Sequence, residues 1–422
     1  MKNRLTAKLL LPIVLCTLLS FSDAFSQGYS LELDGTNDYI NLGTNSTIKA
    51  GDYLTVEVWA HASNWSSLSD GTLIGNEHNS AGWQIKVNAA GSEIQGWLWR
   101  DGNLAKPGYA LSSLSAGWHH FAMTYDSRYT KFYVDGVLRD TDDAYGNNPI
   151  DDNPTNSTLI GADVANGGFP QTSFQGGPDY FQGKIEEVRI WDEALSVITL
   201  RDWIHRELTT SHPNYSNSVS DDLKAYYKMT DGTGTALSDN SANSITGTLN
   251  NMDNGDWINS TAPVPYITAL TGNWNTATSW VSTSVPNSDW AIVLINHDIN
   301  IDADASMMNL TISTSKTLTV NAEKSLTVGG VITNYGTLNV KENASFIDNG
   351  SVSGSGTFTI ERPISGGGWH YVSAPISHPT ADLFWGSALY EFDETSASWV
   401  SKKAGDNLST CKGYDAYYKP TA

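Results

Sequence analysis

From Gly28 to about Trp191, apolar and polar residues alternate in one short run after another. Tyr53-Leu54-Thr55-Val56-Glu57-Val58-Trp59, Trp83-Gln84-Ile85-Lys86-Val87 and Ile94-Gln95-Gly96-Trp97-Leu98-Trp99 each read as a strand, as does His119-His120-Phe121-Ala122-Met123-Thr124-Tyr125. Lys131-Phe132-Tyr133-Val134 joins Val137-Leu138 through a tight Asp135-Gly136 turn, a hairpin signal. A period of two with one apolar face per strand predicts two packed antiparallel sheets, because each sheet must bury that face against something. One helix is predicted from about Ser196 to Leu208: Ile198, Leu200, Trp203, Ile204 and Leu208 keep helical spacing, and Ser196 caps the start.

After Pro263 and Pro265 the period changes. Thr317-Leu318-Thr319-Val320, Thr337-Leu338-Asn339-Val340 and Thr357-Phe358-Thr359-Ile360 recur every 20 residues, with Gly330 and Gly350, and Gly336 and Gly356, in the same register. Ile299 to Ile301 and Leu310 to Ile312 form an earlier, less regular turn. Such a repeat predicts a short β-solenoid, in which only stacking of neighbouring coils keeps the inward Leu, Val, Phe and Ile from water. A small sandwich with accidental regularity is the alternative. The segments around Trp274 to Val285 and Gly366 to Trp369 are expected to cap the stack. From Pro363 onward, Gly368-Trp369-His370-Tyr371-Val372-Ser373 and Leu389-Tyr390-Glu391-Phe392-Asp393 predict another β-unit, which stops four residues after Tyr418 and reads as partial. The predicted fold class is therefore all-β: a sandwich over 28–262, a solenoid over 263–362 and a partial, truncated β-unit over 363–422.

Composition adds compartment and partners. Lys2, Arg4 and Lys8, an apolar stretch from Leu9 to Leu19 and the small and polar residues around Ala24-Phe25-Ser26 have the order of a secretory signal peptide over 1–27. A secreted, extracellular or cell-surface protein is expected, without a transmembrane segment, since no later stretch approaches the roughly 20 apolar residues of a membrane helix. A net charge of -21 argues against nucleic acid, whose phosphates need a basic face. Of the two cysteines, Cys16 lies in the leader, so Cys411 alone would remain and no internal disulfide is expected. Stability has to come from apolar cores.

The first unit carries a family resemblance. Leu31-Glu32-Leu33-Asp34-Gly35-Thr36-Asn37-Asp38-Tyr39-Ile40, Gly117-Trp118-His119-His120-Phe121, Phe132-Tyr133-Val134-Asp135-Gly136, Leu159-Ile160-Gly161 and Phe181-Gln182-Gly183-Lys184-Ile185-Glu186-Glu187-Val188-Arg189-Ile190-Trp191 resemble, in order, the landmarks of laminin-G-like, concanavalin-type jelly rolls. The family usually has Asp where this chain has Glu186. Leu223 to Met229, Gly232 to Thr235, Asp239 to Asn243 and Gly247 to Leu249 resemble strands that normally precede the Asp-Gly-Thr-Asn-Asp landmark, so 221–262 is expected to complete the sandwich in permuted order. About forty residues with two or three strands can hardly bury a core alone. The succession of sandwich, solenoid and Gly-Trp-His segment is similar to secreted multidomain proteins of Bacteroidota, which usually end in a type IX secretion sorting domain; none is visible here.

Catalytic motifs are absent: no His-Glu-x-x-His, Gly-x-Ser-x-Gly, phosphate-cradling loop or paired cysteines. Glucanases of the resembling fold carry Glu-x-Asp-x-x-Glu on one strand, which no strand here has. Glu186 and Glu187 are adjacent and so expected on opposite sides of the sheet. No enzyme is expected. Calcium, a structural ion, finds candidate ligands in Asp34, Asn37 and Asp38 within one turn. The resemblance implies Asp163 and Glu186 as completing ligands; the alternative is that the turn residues cap their own backbone. Glycan-binding candidates are Trp97 and Trp99 on one strand face, Asp101 and Asn103 in the following turn, and Trp59 with Glu57. The same tryptophans also suit a sandwich core. The expected function is a secreted or cell-surface carbohydrate-binding or cell-adhesion protein with the solenoid as spacer. The alternatives are an accessory region of a larger polysaccharide-degrading enzyme and an adhesin that binds an extracellular protein.

Overall fold

A computed structural model of the chain describes residues 6–7, 28–49, 51–143, 148–152, 154–164, 170, 179–361, 367–373, 379–384, 387–409 and 412–418. The proposed cleavage region of the leader, Gly366 and Cys411 lie outside them. The architecture is all-β: a sandwich, a short solenoid and a further small sheet, with, among the described residues, one α-helix, Val197–Trp203, and a few 3-10 turns. Contacts divide the described residues into two compact units, one within 28–264 and the other within 265–418.

In the first unit, alternation along the strands builds two sheets. One runs in the order Val137–Asp142, Thr130–Val134, Gly117–Asp126, Tyr53–Ala62, Gln182–Trp191, Tyr29–Asp34 and Trp257–Asn259, with Leu223–Tyr227 also on Gln182–Trp191. The other runs Ala236–Leu237, Gly247–Asn250, Tyr39–Asn41, Leu159–Ile160, Thr72–Gly75, Trp83–Val87, Glu93–Arg100 and Asn103–Ala105, with Gly108–Ala110 on the far part of Glu93–Arg100. Every second side chain points between the sheets, so Val56, Val58, Ile85, Leu98, Phe121 and Ile185 share one core. Full burial of each contributes about 1.5–3 kcal/mol. The stretch after residue 221 joins both sheets, and Ala225, Tyr227, Leu249 and Trp257 enter the same core.

The helix is shorter than its apolar spacing predicts. Ser196 caps it as expected, accepting from the Thr199 N–H at 3.1 Å, but Ile198 is exposed and the helix ends at Trp203. Side chains of the first sheet take the carbonyls there: Arg189 bonds the Trp203 and Arg206 oxygens, and the Trp59 indole N–H bonds that of Ile204.

The solenoid consists of parallel ladders, and its register reproduces the sequence repeat: Thr317 pairs with Thr337 and Thr337 with Thr357. Leu318, Leu338, Leu326, Ile332, Val328 and Val340 fill its interior, and Trp274 and Trp280 join that core edge to face at 4.8 Å. Asn334 is fully buried among them and satisfied, donating to the Thr357 carbonyl and accepting from the Gly336 N–H. Trp369 lies in the strand Gly368–Ser373 of an antiparallel sheet with Gly413–Tyr418, Ser387–Asp393 and Ser398–Lys402.

Candidate functional site

On Glu93–Arg100 the residues Ile94 and Leu98 point into the core, which leaves Glu93, Gln95, Trp97 and Trp99 on the outer face of the second sheet. On the neighbouring strand the same alternation leaves Gln84 and Lys86 outside, where Gln84 pairs with Trp97 and Lys86 with Gln95. Gly75 faces Gln84, and a Cβ there would lie 2.2 Å from that of Gln84. Its bare backbone lets the polar row pack against the strand beside it.

Trp97 and Trp99 are partly exposed, and both indole N–H groups are tied down within the face. Trp97 donates to Gln95 Oε1 at 2.9 Å, and Gln95 in turn donates to Glu93 at 2.7 Å. Trp99 donates to Glu77 Oε1 at 2.8 Å, while the Gln84 amide donates to Glu77 Oε2 at 3.2 Å. Two rings two residues apart on one strand, roughly 7 Å along it, are thus held in fixed orientations. Burial, reinforced by the Asp163 charge, pushes the Glu77 carboxyl up to about 7.

Beside the rings lies a carboxylate nest around Lys86. The ammonium contacts Asp70 at 2.9 Å and Asp163 at 3.2 Å, and stands 5.3 Å from the Trp97 ring centroid, within cation–π range. Burial works against its charge, but Asp163, Asp70 and Asp179 outweigh that and hold it above its ordinary value. Asp179 is buried beside Asp70. Burial first, and then the neighbouring Asp70, raise its carboxyl to about 8.

Asp101 and Asn103 sit in the hairpin turn at the Trp99 end of the strand. The Asp151 carboxylate accepts the Asp101 and Gly102 backbone N–H groups, and the Asn103 amide donates to the Asp101 carbonyl. The Asp101 side chain is exposed at the rim.

Trp59 and Glu57 are not part of this face. Both lie at 1–2% exposure on the outer side of the first sheet. There Glu57 accepts from the Trp191 indole and lies 3.3 Å from His120 Nε2 and 3.8 Å from Arg189. The sequence put them on one side of a strand, correctly, but that side is roofed by the helix and the turn after it.

The five calcium candidates fall in three separate places. Asp34 Oδ1 accepts the Thr36 and Asn37 N–H groups at 2.7 and 3.2 Å, and Asp38 accepts the Asp34 N–H at 3.0 Å, so the turn closes on itself. Asp163 is held by Lys86 and the Val164 N–H. Glu186 accepts from the Ser260 hydroxyl, and burial raises its carboxyl well above the usual range. Among the described residues no three acidic, histidine or cysteine side chains are grouped to hold a metal ion. Each of the four carboxylates among them accepts from a protein donor, and the five residues do not converge on one site.

Glu186 and Glu187 correct a further expectation. A bulge lies between Glu186 and Arg189, and Glu187 adopts a φ of 52°. Ile185 and Val188 both point into the core, so both glutamates lie on the outer side. Glu187 is closed off there by Arg189 at 2.7 Å and by the Tyr226 hydroxyl.

Sequence reasoning missed Glu77, Gln84, Lys86, Asp70 and Asp179. The alternation that placed Trp97 and Trp99 extends to Gln84 and Lys86, and that signal was available. Glu77, Asp70 and Asp179 come from loops, where no periodicity marks direction. A second aromatic surface lies in the other unit: Trp369, Tyr371 and Trp399 are 56%, 84% and 49% exposed, on the side of the small sheet away from Leu389, Tyr414 and Ala416. Among the described residues no helix is long and apolar enough to cross a membrane.

Comparison with known proteins agrees with this architecture. Residues 34–199 match the laminin-G profile of the concanavalin A-like lectin/glucanases superfamily. Residues 266–418 match a domain family of unknown function. No curated protein matches the chain. Solved structures that resemble it include the "putative carbohydrate binding protein" of Bacteroides ovatus, 20% identical, with a TM-score of 0.37, covering 53% of this chain and 58% of that one. Domains LG4-5 of the mouse laminin alpha1 chain are 14% identical, with a TM-score of 0.28 and coverage of 41% and 43%. Domain 4 of the extracellular arabinanase AbnA from Geobacillus stearothermophilus, in complex with arabinotriose, is 15% identical, with a TM-score of 0.27 and coverage of 40% and 73%. The chain thus spans little more than half the length of the Bacteroides protein and less than half of the laminin fragment.

Proposed function

We propose that this chain is a non-catalytic carbohydrate-binding protein that holds its ligand on the outer face of the second sheet, with Trp97 and Trp99 as stacking platforms. The observation that carries this reading is the locking of both indoles through Gln95 and Glu77, which leaves the ring faces partly exposed in a fixed array. Ordering two free rings on binding would cost side-chain entropy; here that cost is met in folding. Asp101, at the rim, supplies an acceptor for a sugar hydroxyl. The lectin-type profile over 34–199 supports a binding module, and the leader-like order of residues 1–27 supports export to the cell surface or beyond. Adhesion would follow if the sugar belongs to another surface.

Binding of the full chain to an immobilised glycan array, compared with the Trp97→Ala and Trp99→Ala variants, tests this. Each variant should lose at least about tenfold in signal, equivalent to about 1.4 kcal/mol, with an unchanged circular dichroism spectrum. Because the acidic groups are met by protein donors, a chelator should leave binding intact. Glycan signals indifferent to both substitutions would overturn the assignment.

A further inference from the structure

The donors on this face turn mostly inward. Both indole N–H groups, an N–H of each of Gln84 and Gln95, and the Lys86 ammonium all point to acceptors of the face itself. What this face offers a ligand is chiefly carboxylate oxygen, from the partly exposed Glu77, Glu93 and Asp70. Charge is equally one-sided. Asp70 and Asp163 share the Lys86 ammonium, which is in contact with both, and Glu93 adds a further carboxylate at the edge of the face.

We propose that this face selects sugars by charge, admitting neutral and amine-bearing glycans and rejecting uronated and sulfated ones. The inference rests on the reading that Trp97 and Trp99 hold carbohydrate. A hydroxyl or an ammonium brings the donor that these acceptors lack. A carboxylate or sulfate brings only further acceptors, and places a like charge beside carboxylates in a poorly solvated site. The Lys86 ammonium, lying against Trp97 among carboxylates, shows the kind of group this environment stabilises.

The test uses the full chain on pairs of surfaces matched in backbone and differing in charge: polygalacturonate against its methyl ester, and a heparin against its desulfated, N-acetylated and carboxyl-reduced form, alongside neutral glucans and chitosan. Each surface is read with the native protein and with Trp97→Ala, at low and at high salt. The expected result is Trp97-dependent binding to neutral or amine-bearing surfaces, at least tenfold weaker on the charged member of each pair. The gap should narrow as salt shortens the screening length from about 10 Å toward 3 Å. Glu93→Gln should raise the signal on the anionic member. Trp97-dependent binding to polygalacturonate or heparin equal to that of the uncharged partner would overturn the charge rule while leaving the site assignment standing. Binding that Trp97→Ala leaves unchanged on every surface would remove the underlying reading, and the charge rule with it.

Discussion

Glu77 holds two donors, the Trp99 indole and the Gln84 amide, with a carboxyl that burial and Asp163 raise from an ordinary 4.5 to about 7. Asp179 rises from 3.8 to about 8, again chiefly through burial. A carboxyl with a raised folded value binds its proton more tightly folded than unfolded, so its contribution is lost as pH rises toward that value. The thermal midpoint of the first unit should therefore climb when the buffer moves from about pH 8.5 to about 6.5. Asp179→Asn should flatten the climb; an identical slope in the variant would contradict this. Lys86 should be the costliest single loss on the face. Lys86→Met leaves Asp70 and Asp163 without their cation and should cost about 3 kcal/mol, read as a lower denaturation midpoint in urea. At this scale the sequence was informative wherever side chains alternate on strands, as for Trp97 and Trp99. It was silent on Trp59 and Glu57, because alternation assigns a face but does not say what lies over it.

The segment that follows Trp191 shows what covers the outer side of the first sheet. His205 and His212 are both lowered to about 4, chiefly by burial; His205 bonds the Pro263 carbonyl, and His212 stacks on Trp191 at 4.6 Å. A histidine with a depressed folded value stays neutral in the fold, so its contribution is present above the ordinary 6.5 and is lost as pH falls toward 4. The two imidazoles thus oppose the gain from the raised carboxyls over that window, and His212→Phe, which keeps the stacked ring, should raise stability at about pH 4.5 relative to about pH 7; an unaltered pH profile would refute the assignment. The strands from Leu223 to Asn259 supply core residues to both sheets, so a chain ending at Ser211 should not unfold cooperatively. Equal urea stability of that shorter chain would contradict the pairing. The solenoid register could be read from the repeat because parallel stacking puts equivalent residues in contact. The helix boundary could not, because its end is fixed by Arg189 and Trp59, both distant in sequence.

As a whole molecule, the chain holds two compact units, each with its own core. The all-β architecture was readable from period-two strands and the 20-residue repeat, since both report which residues must avoid water. The carboxylate nest was not, since Asp70, Asp163 and Asp179 meet only once the loops of the sandwich close over Lys86. Partly exposed Trp97 and Trp99 lie on a face of one unit and exposed Trp369, Tyr371 and Trp399 on a face of the other, and sugar recognition is assigned to the first. Hydroxyl-radical footprinting of the full chain, read by mass spectrometry with and without a neutral glycan that it binds, separates them most directly. Oxidation of Trp97 and Trp99 should fall several-fold with the glycan present while Trp369 and Trp399 react as before. Protection confined to Trp369 and Trp399 would contradict the assignment.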